Sequence, residues 1–467
     1  VNRTLAKNIF SLTTAELISK TLTFLYTAYL ARIILTEGVG SISLGQYFAG
    51  FFLILNAGLD TYSIRLTAAN RERISDTFNE LFSARIILSV ISYLLLLLSV
   101  VLIDKPDNVK VIILVVGLSV IAQINYINWL YMAIERFEII AVRLVVTSVL
   151  NFIGIIVFVK GVDDILTAAI IIASTQILNA LWMALYYNRK INKIKLKLSI
   201  STFYYHIRSS IPINLTFMLI LFYNSIGMIL VGLMIQTNFL YQNGILGAAI
   251  KLQLIAVIPM SILQQSFFPQ LARADTKDEK SSILDKFTGI MFLAAAYISV
   301  AVFFYSDSMI ALAFGQSFAE SAAILKILCV AILLMFVNTT YSIPLIAWGN
   351  EKKMVMVFAT GAITSLIFNL IMIPFWGMYA TAIGTALTEF VILIFLMFLI
   401  FRSGVNTFFH RLPLILLTVV VSFALPFYFL YIHFIPKLII SSLISAGLLM
   451  ITKQVDAKSY LKIFQKH

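Results

Sequence analysis

Thr13, Glu16, Lys20, Thr23 and Thr27 follow one another at steps of three, four, three and four residues. That spacing places all five on one stripe of an α-helix. Most residues between them are apolar or aromatic. A hydroxyl-rich stripe with one acid and one base suits the wall of a watery cavity. Glu16 and Lys20 are four apart in the favourable order and can pair. The plainer alternative is a pair of charges that only neutralise each other inside a helix bundle. Asn56, Asp60 and Ser63 repeat the pattern, followed by Arg65. Asp60 can work in the cavity, or serve as an exposed capping or gating residue. Lys251 has Gln253 nearby and no acid within a turn, which fits an anionic ligand or a snorkelling chain. Arg32 and Lys326 can also snorkel. Glu389, beside Thr385 and Thr388, can titrate or can answer a lysine on another helix.

These charges are costly where they stand. They fall within apolar stretches of about twenty residues, the length of a membrane-crossing helix. Each costs ~2.5–3.5 kcal/mol at the bilayer centre, so such side chains usually face a bundle interior or a watery cavity. We count fourteen stretches, from Ile9–Ile34 and Ile42–Leu66 to Leu412–Ile432 and Phe434–Ile451. The first continues into the array and reads as a span rather than a cleavable signal.

Every second gap between stretches is basic. Arg65, Arg71, Arg73 and Arg85 fall in one such gap, and Arg136 and Arg143 in the next. The alternate set of gaps holds only Lys105, Lys110, Lys160 and Lys437. Basic residues near spans are retained on the cytoplasmic side, so an even count with both termini cytoplasmic is the expected topology.

Composition agrees. Hydrophobic residues make up 61% and charged residues 12%, about half the charge of a soluble chain. The net charge of +13 reads as the positive-inside signal and attraction to anionic headgroups rather than as a nucleic-acid surface. The single cysteine, Cys329, excludes an internal disulfide and a cysteine-based metal site. The four histidines show no ligand spacing, and neither a metal nor a cofactor is expected.

Asn188–Arg208 is the longest polar interval and carries six basic residues. It reads as the linker between two six-helix halves. The expected architecture is an all-α polytopic membrane protein of about fourteen transmembrane helices: two six-helix lobes plus two C-terminal helices. The divisions are residues 1–205, 206–411 and 412–467. Leu44-Gly45 and Leu246-Gly247 open the second and eighth spans, and Asn151 and Asn369 precede Gly161 and Gly377. These matches fit parallel repeats.

The segment YFAGFFLILNAGLDTYSIR (Tyr47–Arg65) resembles the second span of polysaccharide repeat-unit (O-antigen) flippases. NWLYMAIERF (Asn128–Phe137) is similar to another of their motifs, with Asn128 where an acid is usual. Gly244–Arg273, Ile343–Lys353 and Phe368–Glu389 look like their eighth and tenth to twelfth spans. The resemblance runs end to end and implies the multidrug/oligosaccharidyl-lipid/polysaccharide exporter superfamily, with alternating access around a central cavity.

The resemblance implies a flippase for polyprenyl-diphosphate-linked oligosaccharide, such as an O-antigen unit in lipopolysaccharide biosynthesis. Its place would be the bacterial cytoplasmic (inner) membrane, and other polysaccharide-assembly proteins are its expected partners. The alternatives are a lipid II-type flippase and a cation-coupled multidrug exporter, an antiporter. A membrane polymerase would need larger outer loops. No Walker motif, HExxH or nucleophile elbow points to an enzyme. In this reading Lys20, Lys251, Arg32, Arg65, Thr13, Thr23, Thr27 and Asn56 line the substrate cavity, with Lys20 and Lys251 on the diphosphate. Glu16, Asp60 and Glu389 are the coupling or gating acids.

Overall fold

The computed structural model describes residues 3–56, 58–197, 199–405, 412–430 and 433–451. Arg411, His410 and the tail lysines Lys453, Lys458, Lys462 and Lys466 lie outside the described residues. Among those described, the secondary structure is helical, with no strand. Hydrocarbon offers no partner for a backbone N–H or C=O, and a helix satisfies both within one segment.

The helices are α1 (Arg3–Phe52), α2 (Leu59–Ala69), α3 (Ile74–Leu102), α4 (Asp107–Ile124), α5 (Asn128–Ala133), α6 (Phe137–Phe158), α7 (Ile165–Lys190) and α8 (Ile200–Met234). They continue with α9 (Phe239–Ala256), α10 (Ile258–Arg273), α11 (Lys277–Phe314), α12 (Ser321–Ala347), α13 (Glu351–Trp376), α14 (Met378–Arg402), α15 (Leu412–Phe429) and α16 (Phe434–Ile451).

The span count follows from these lengths. Among the described residues, eleven apolar helical segments are long enough to cross a bilayer, and the first, Ser11–Ala69, has 59 residues. At 1.5 Å per residue that is roughly 90 Å, far more than the ~30 Å of one crossing. It breaks at Leu35, whose φ of 58° and ψ of −168° are not helical, and so supplies two spans. The shorter apolar helices Pro413–Phe429 and Phe434–Leu449 bring the total to the fourteen expected.

The chain forms two compact units, residues 1–247 and 248–467. In the first, α1 packs along α6 and α4, α4 on α7, α3 on α4 and α8, and α2 on α5 and α8. Its aromatic core centres on Phe78, which stacks on Tyr187 at 3.8 Å and on Trp129 at 5.8 Å between ring centroids. In the second unit α11 packs on α12 and α15, and α14 on α12 and α13. Phe267, Phe287, Met291, Ile332 and Phe336 fill one part of its core, and Tyr305 and Phe423 another.

The two asparagines noted as repeat marks play matching parts. Thr175 on α7 donates to Asn151 on α6 at 2.7 Å, and Thr381 on α14 donates to Asn369 on α13 at 3.0 Å. Both asparagines are buried. The two pairs lie at different distances from their connecting turns.

Candidate functional site

Two of the spans in the first unit are discontinuous. The second stops at a 3₁₀ turn, Leu53–Asn56, and resumes at α2 after Gly58, whose φ of 68° is accessible mainly to glycine. The fourth stops at Ile124 and resumes at α5. Each break leaves backbone groups without helical partners.

Arg85 on α3 serves both breaks. Its guanidinium donates to the Asn56 side-chain oxygen at 3.4 Å and to the Ile124 carbonyl at 3.1 Å. It also donates to Ser63 at 3.1 Å and pairs with the Asp60 carboxylate at 2.7 Å. Its carbon lies 5.2 Å from the Trp129 ring centroid. A cation at the carbonyl end of α4 is electrostatically favoured by the helix dipole. The Arg85 side chain is 0% exposed, whereas that of Asp60 is 55% exposed. The carboxylate is thus anchored on one side and open on the other.

This overturns one reading of the sequence. Arg85 stands among the loop arginines by spacing, yet it lies within α3 and is wholly buried, because three acceptors and a carboxylate replace its water. Arg143 differs from expectation in the same way: it sits inside α6, 4.7 Å from the Tyr126 ring centroid. Asn56, Asp60 and Ser63 do not share one continuous helical face, because the helix breaks at Gly58; they converge on Arg85 instead. Arg65, farther along α2, is exposed.

The α1 stripe is partly as expected. Thr13, Glu16, Lys20 and Thr23 are exposed on the first unit, while Thr27 is buried. The packed face is marked by Ser19, which meets Ser148 of α6 at 2.5 Å, and by Tyr29, which donates to the Val159 carbonyl at 3.0 Å. Glu16 and Lys20 do not form the ion pair that their spacing permits. Both side chains extend away from the packed face. Arg32 is exposed.

In the second unit, Lys251 on α9 is half-buried, and no carboxylate lies within 4 Å of it among the described residues. Glu389 on α14 is 3% exposed. The Asn338 amide of α12 donates to its carboxylate at 2.7 Å and to its backbone carbonyl at 2.9 Å. Lys326 pairs with Asp307 at 2.7 Å.

Besides Arg85, the sequence reading missed His206 and Asn338. His206 on α8 is buried, with its Nδ1 3.0 Å from the Tyr62 hydroxyl and its Nε2 3.7 Å from Glu80. Burial pushes its pKa down, and Glu80 pulls it back up. No group of three or more metal-ligating side chains occurs among the described residues.

A family described as "Polysaccharide biosynthesis protein" matches residues 5–275. Capsular polysaccharide biosynthesis protein CapF of Staphylococcus aureus is 21% identical over 405 residues, 84% of this chain and 98% of that one. Among solved structures, lipid II flippase MurJ in an inward closed conformation superposes with a TM-score of 0.78 at 14% identity, covering 95% of this chain and 98% of its own. An inward-facing multidrug resistance MATE family transporter of the MOP superfamily gives a TM-score of 0.66 at 13% identity, covering 82% and 94%.

Proposed function

The chain belongs to the polysaccharide biosynthesis protein family, and from that premise we propose that it is a flippase for polyprenyl-diphosphate-linked oligosaccharide units. It works by alternating access in the bacterial cytoplasmic membrane, with both termini on the cytoplasmic side. Two six-helix lobes, residues 1–205 and 206–411, carry the transport function, and 412–467 adds two helices and a tail. The protein moves its cargo and does not transform it.

The observation that carries this reading is a pair of lysines in membrane-crossing helices, Lys20 and Lys251, neither of which has a carboxylate within 4 Å among the described residues. A cation in a span is tolerated when it faces a cavity or a partner. The cargo supplies what these lysines lack. Its diphosphate needs cations in place of water, and its sugars need hydroxyl and amide partners. Thr13, Thr23, Asn56 and the open side of Asp60 offer the latter, and Arg32 and Arg65 attract the anion from farther out. The polyprenyl tail stays in lipid.

The test is transport of a polyprenyl-diphosphate oligosaccharide in proteoliposomes. Lys20→Arg should retain part of the rate, and Lys20→Glu should abolish it. A normal rate with both lysines replaced by alanine would overturn the assignment. The fold it shares with the lipid II flippase supports a second reading with the same anionic cargo class. Competition between lipid II and the oligosaccharide lipid separates the two. Efflux of cationic drugs without either lipid would favour the multidrug reading instead.

A further inference from the structure

The segment joining α7 to α8 is a strap fastened to α3. The Lys195 backbone N–H donates to the Asn79 side chain at 2.9 Å, and the Lys197 N–H donates to Ser83 at 2.8 Å. Asn79 and Ser83 are buried and one helical turn apart. Two residues of strap therefore cover about 5–6 Å of α3, which requires a nearly extended chain. In an extended chain alternate side chains share a side, so Lys195 and Lys197 point together, and Lys193 is exposed nearby. Ile194, between them, packs on the aromatic core of the first unit.

The strap's charge is largely uncompensated within the protein. Lys197 reaches Asp76 at 3.3 Å, but Asp76 is shared with Arg73 at 3.7 Å. Lys193 and Lys195, with Arg189 and Lys190 at the end of α7, are exposed, and no carboxylate lies within 4 Å of them among the described residues.

An exposed apolar set adjoins these cations. Ile200 is 84% exposed, and Leu196, Tyr204 and Tyr205 are exposed too. Ile200 and Tyr204 lie one turn apart on α8. That helix has 35 residues, roughly 52 Å, against ~30 Å of hydrocarbon, so its first turns lie at headgroup level or beyond. Tyrosines and aliphatic chains beside a lysine cluster at that level match a bilayer surface: the apolar groups enter the acyl boundary and the ammonium groups meet phosphate.

We infer that residues 189–197 and 199–205 form an anionic-lipid docking strap. Lys193, Lys195 and Lys197 bind phosphodiester headgroups, while Ile200 and Tyr204 anchor in the interface. The assignment rests on charge, extension and exposure within the first unit and is independent of the cargo carried. It adds a function for the long basic linker beyond joining two halves. Pinning by Asn79 and Ser83 holds the lysines in place without reducing their exposure.

The experiment uses the full chain with Cys329→Ala and a bimane-labelled cysteine at Ile200, in nanodiscs of phosphatidylcholine alone or mixed with phosphatidylglycerol. The expected result is a blue-shifted, lipid-quenchable emission in the anionic discs that reverts at high salt. Each lysine removed should weaken the preference for anionic lipid roughly fivefold, so Lys193→Gln, Lys195→Gln and Lys197→Gln together should erase it. The salt series on the chain with its lysines intact keeps the test valid if that triple variant folds poorly. Equal emission in both lipids would overturn the proposal. So would an equal response to inorganic pyrophosphate in neutral discs, which would assign the strap to soluble anions. A shift seen only on adding an acidic protein would also overturn it.

Discussion

Gly40 and Gly244 form a reciprocal crossing. A Cβ on Gly40 would lie 1.9 Å from the carbonyl oxygen of Leu240, four residues before Gly244. A Cβ on Gly244 would lie 2.0 Å from the carbonyl oxygen of Thr36, four residues before Gly40. Backbone meets backbone on both sides, and no side-chain rotamer can relieve a methyl group there. In lipid, close approach of this kind supplies the packing that the hydrophobic effect supplies in water.

Gly40→Ala or Gly244→Ala should therefore separate α1 from α9, at a cost of at least the ~1–3 kcal/mol of ordinary overpacking. Both variants should lose folded yield and heat resistance in detergent, measured by fluorescence-detected size exclusion. Gly50→Ala is the control, because a Cβ there meets nothing within 4 Å. If Gly40→Ala survives heating as well as Gly50→Ala, the crossing is not a constraint.

Arg85→Ala should be among the most damaging single changes in the first unit. It orphans the Ile124 carbonyl and the Asn56 oxygen and strips Asp60 of its partner. Each buried acceptor left unpaired costs about 1–3 kcal/mol, while water can reach the half-exposed Asp60 carboxylate. Lys at this position should recover only part of the loss, since one ammonium cannot fork to four acceptors. Asp60→Asn should be milder, because its amide oxygen can still accept from Arg85. Thermal inactivation of the three variants side by side gives the ranking. Equal heat resistance of Arg85→Ala and the parent chain would contradict it.

Acid should weaken the junction of α2, α3 and α8. The pKa of His206 is held below its ordinary 6.5 by burial, with Glu80 opposing, and Tyr62 and Tyr205 lie against the ring. The folded chain thus binds that proton less tightly than the unfolded chain. The stability tied to neutral His206 is present above about pH 6.5 and is lost as pH falls through the lower folded value. Melting temperatures recorded from about pH 7 down to pH 5 should fall for the parent chain and change less for His206→Gln. Parallel curves for the two would remove His206 as the cause.

We propose Glu389 as the coupling acid, with Asp60 second. Movement between two states needs a ligand that binds them unequally. Glu389→Gln should leave transport indifferent to an imposed proton or sodium gradient. Asn338→Leu, which removes the amide donor to the carboxylate, should shift the gradient dependence without abolishing it. A gradient response unchanged in Glu389→Gln would end this role.

The spans were legible because each is a one-dimensional property: length, apolarity and the charge of the gaps. Even the doubled first helix was readable, since 59 residues cannot make one crossing. The α1 stripe was legible for the same reason, as helical spacing alone puts Glu16 and Lys20 on one face. Arg85 was not. It lies within a turn or so of where an apolar count begins the third span, and its partners come from three other segments, one of them a backbone carbonyl with no sequence signature. His206 was hidden likewise, because Tyr62 and Glu80 lie more than a hundred residues away. Trp129 offered a hint: its motif was recognisable, and its ring lies beside the Arg85 guanidinium.

Arg85 also bears on how the chain enters the membrane during synthesis. It lies eleven residues into α3, ~16 Å from the helix start, and is wholly buried there, so it needs a counter-ion in place of water. Asp60 precedes it, so the carboxylate has left the ribosome before the guanidinium appears. The Ile124 carbonyl follows 39 residues later. The counter-ion is therefore at hand when α3 partitions into lipid, and α4 supplies the remaining acceptor only on joining. The order of translation matches the order in which the charge must be neutralised, and α2 with α3 is the smallest hairpin that can leave the translocon with that arginine paired.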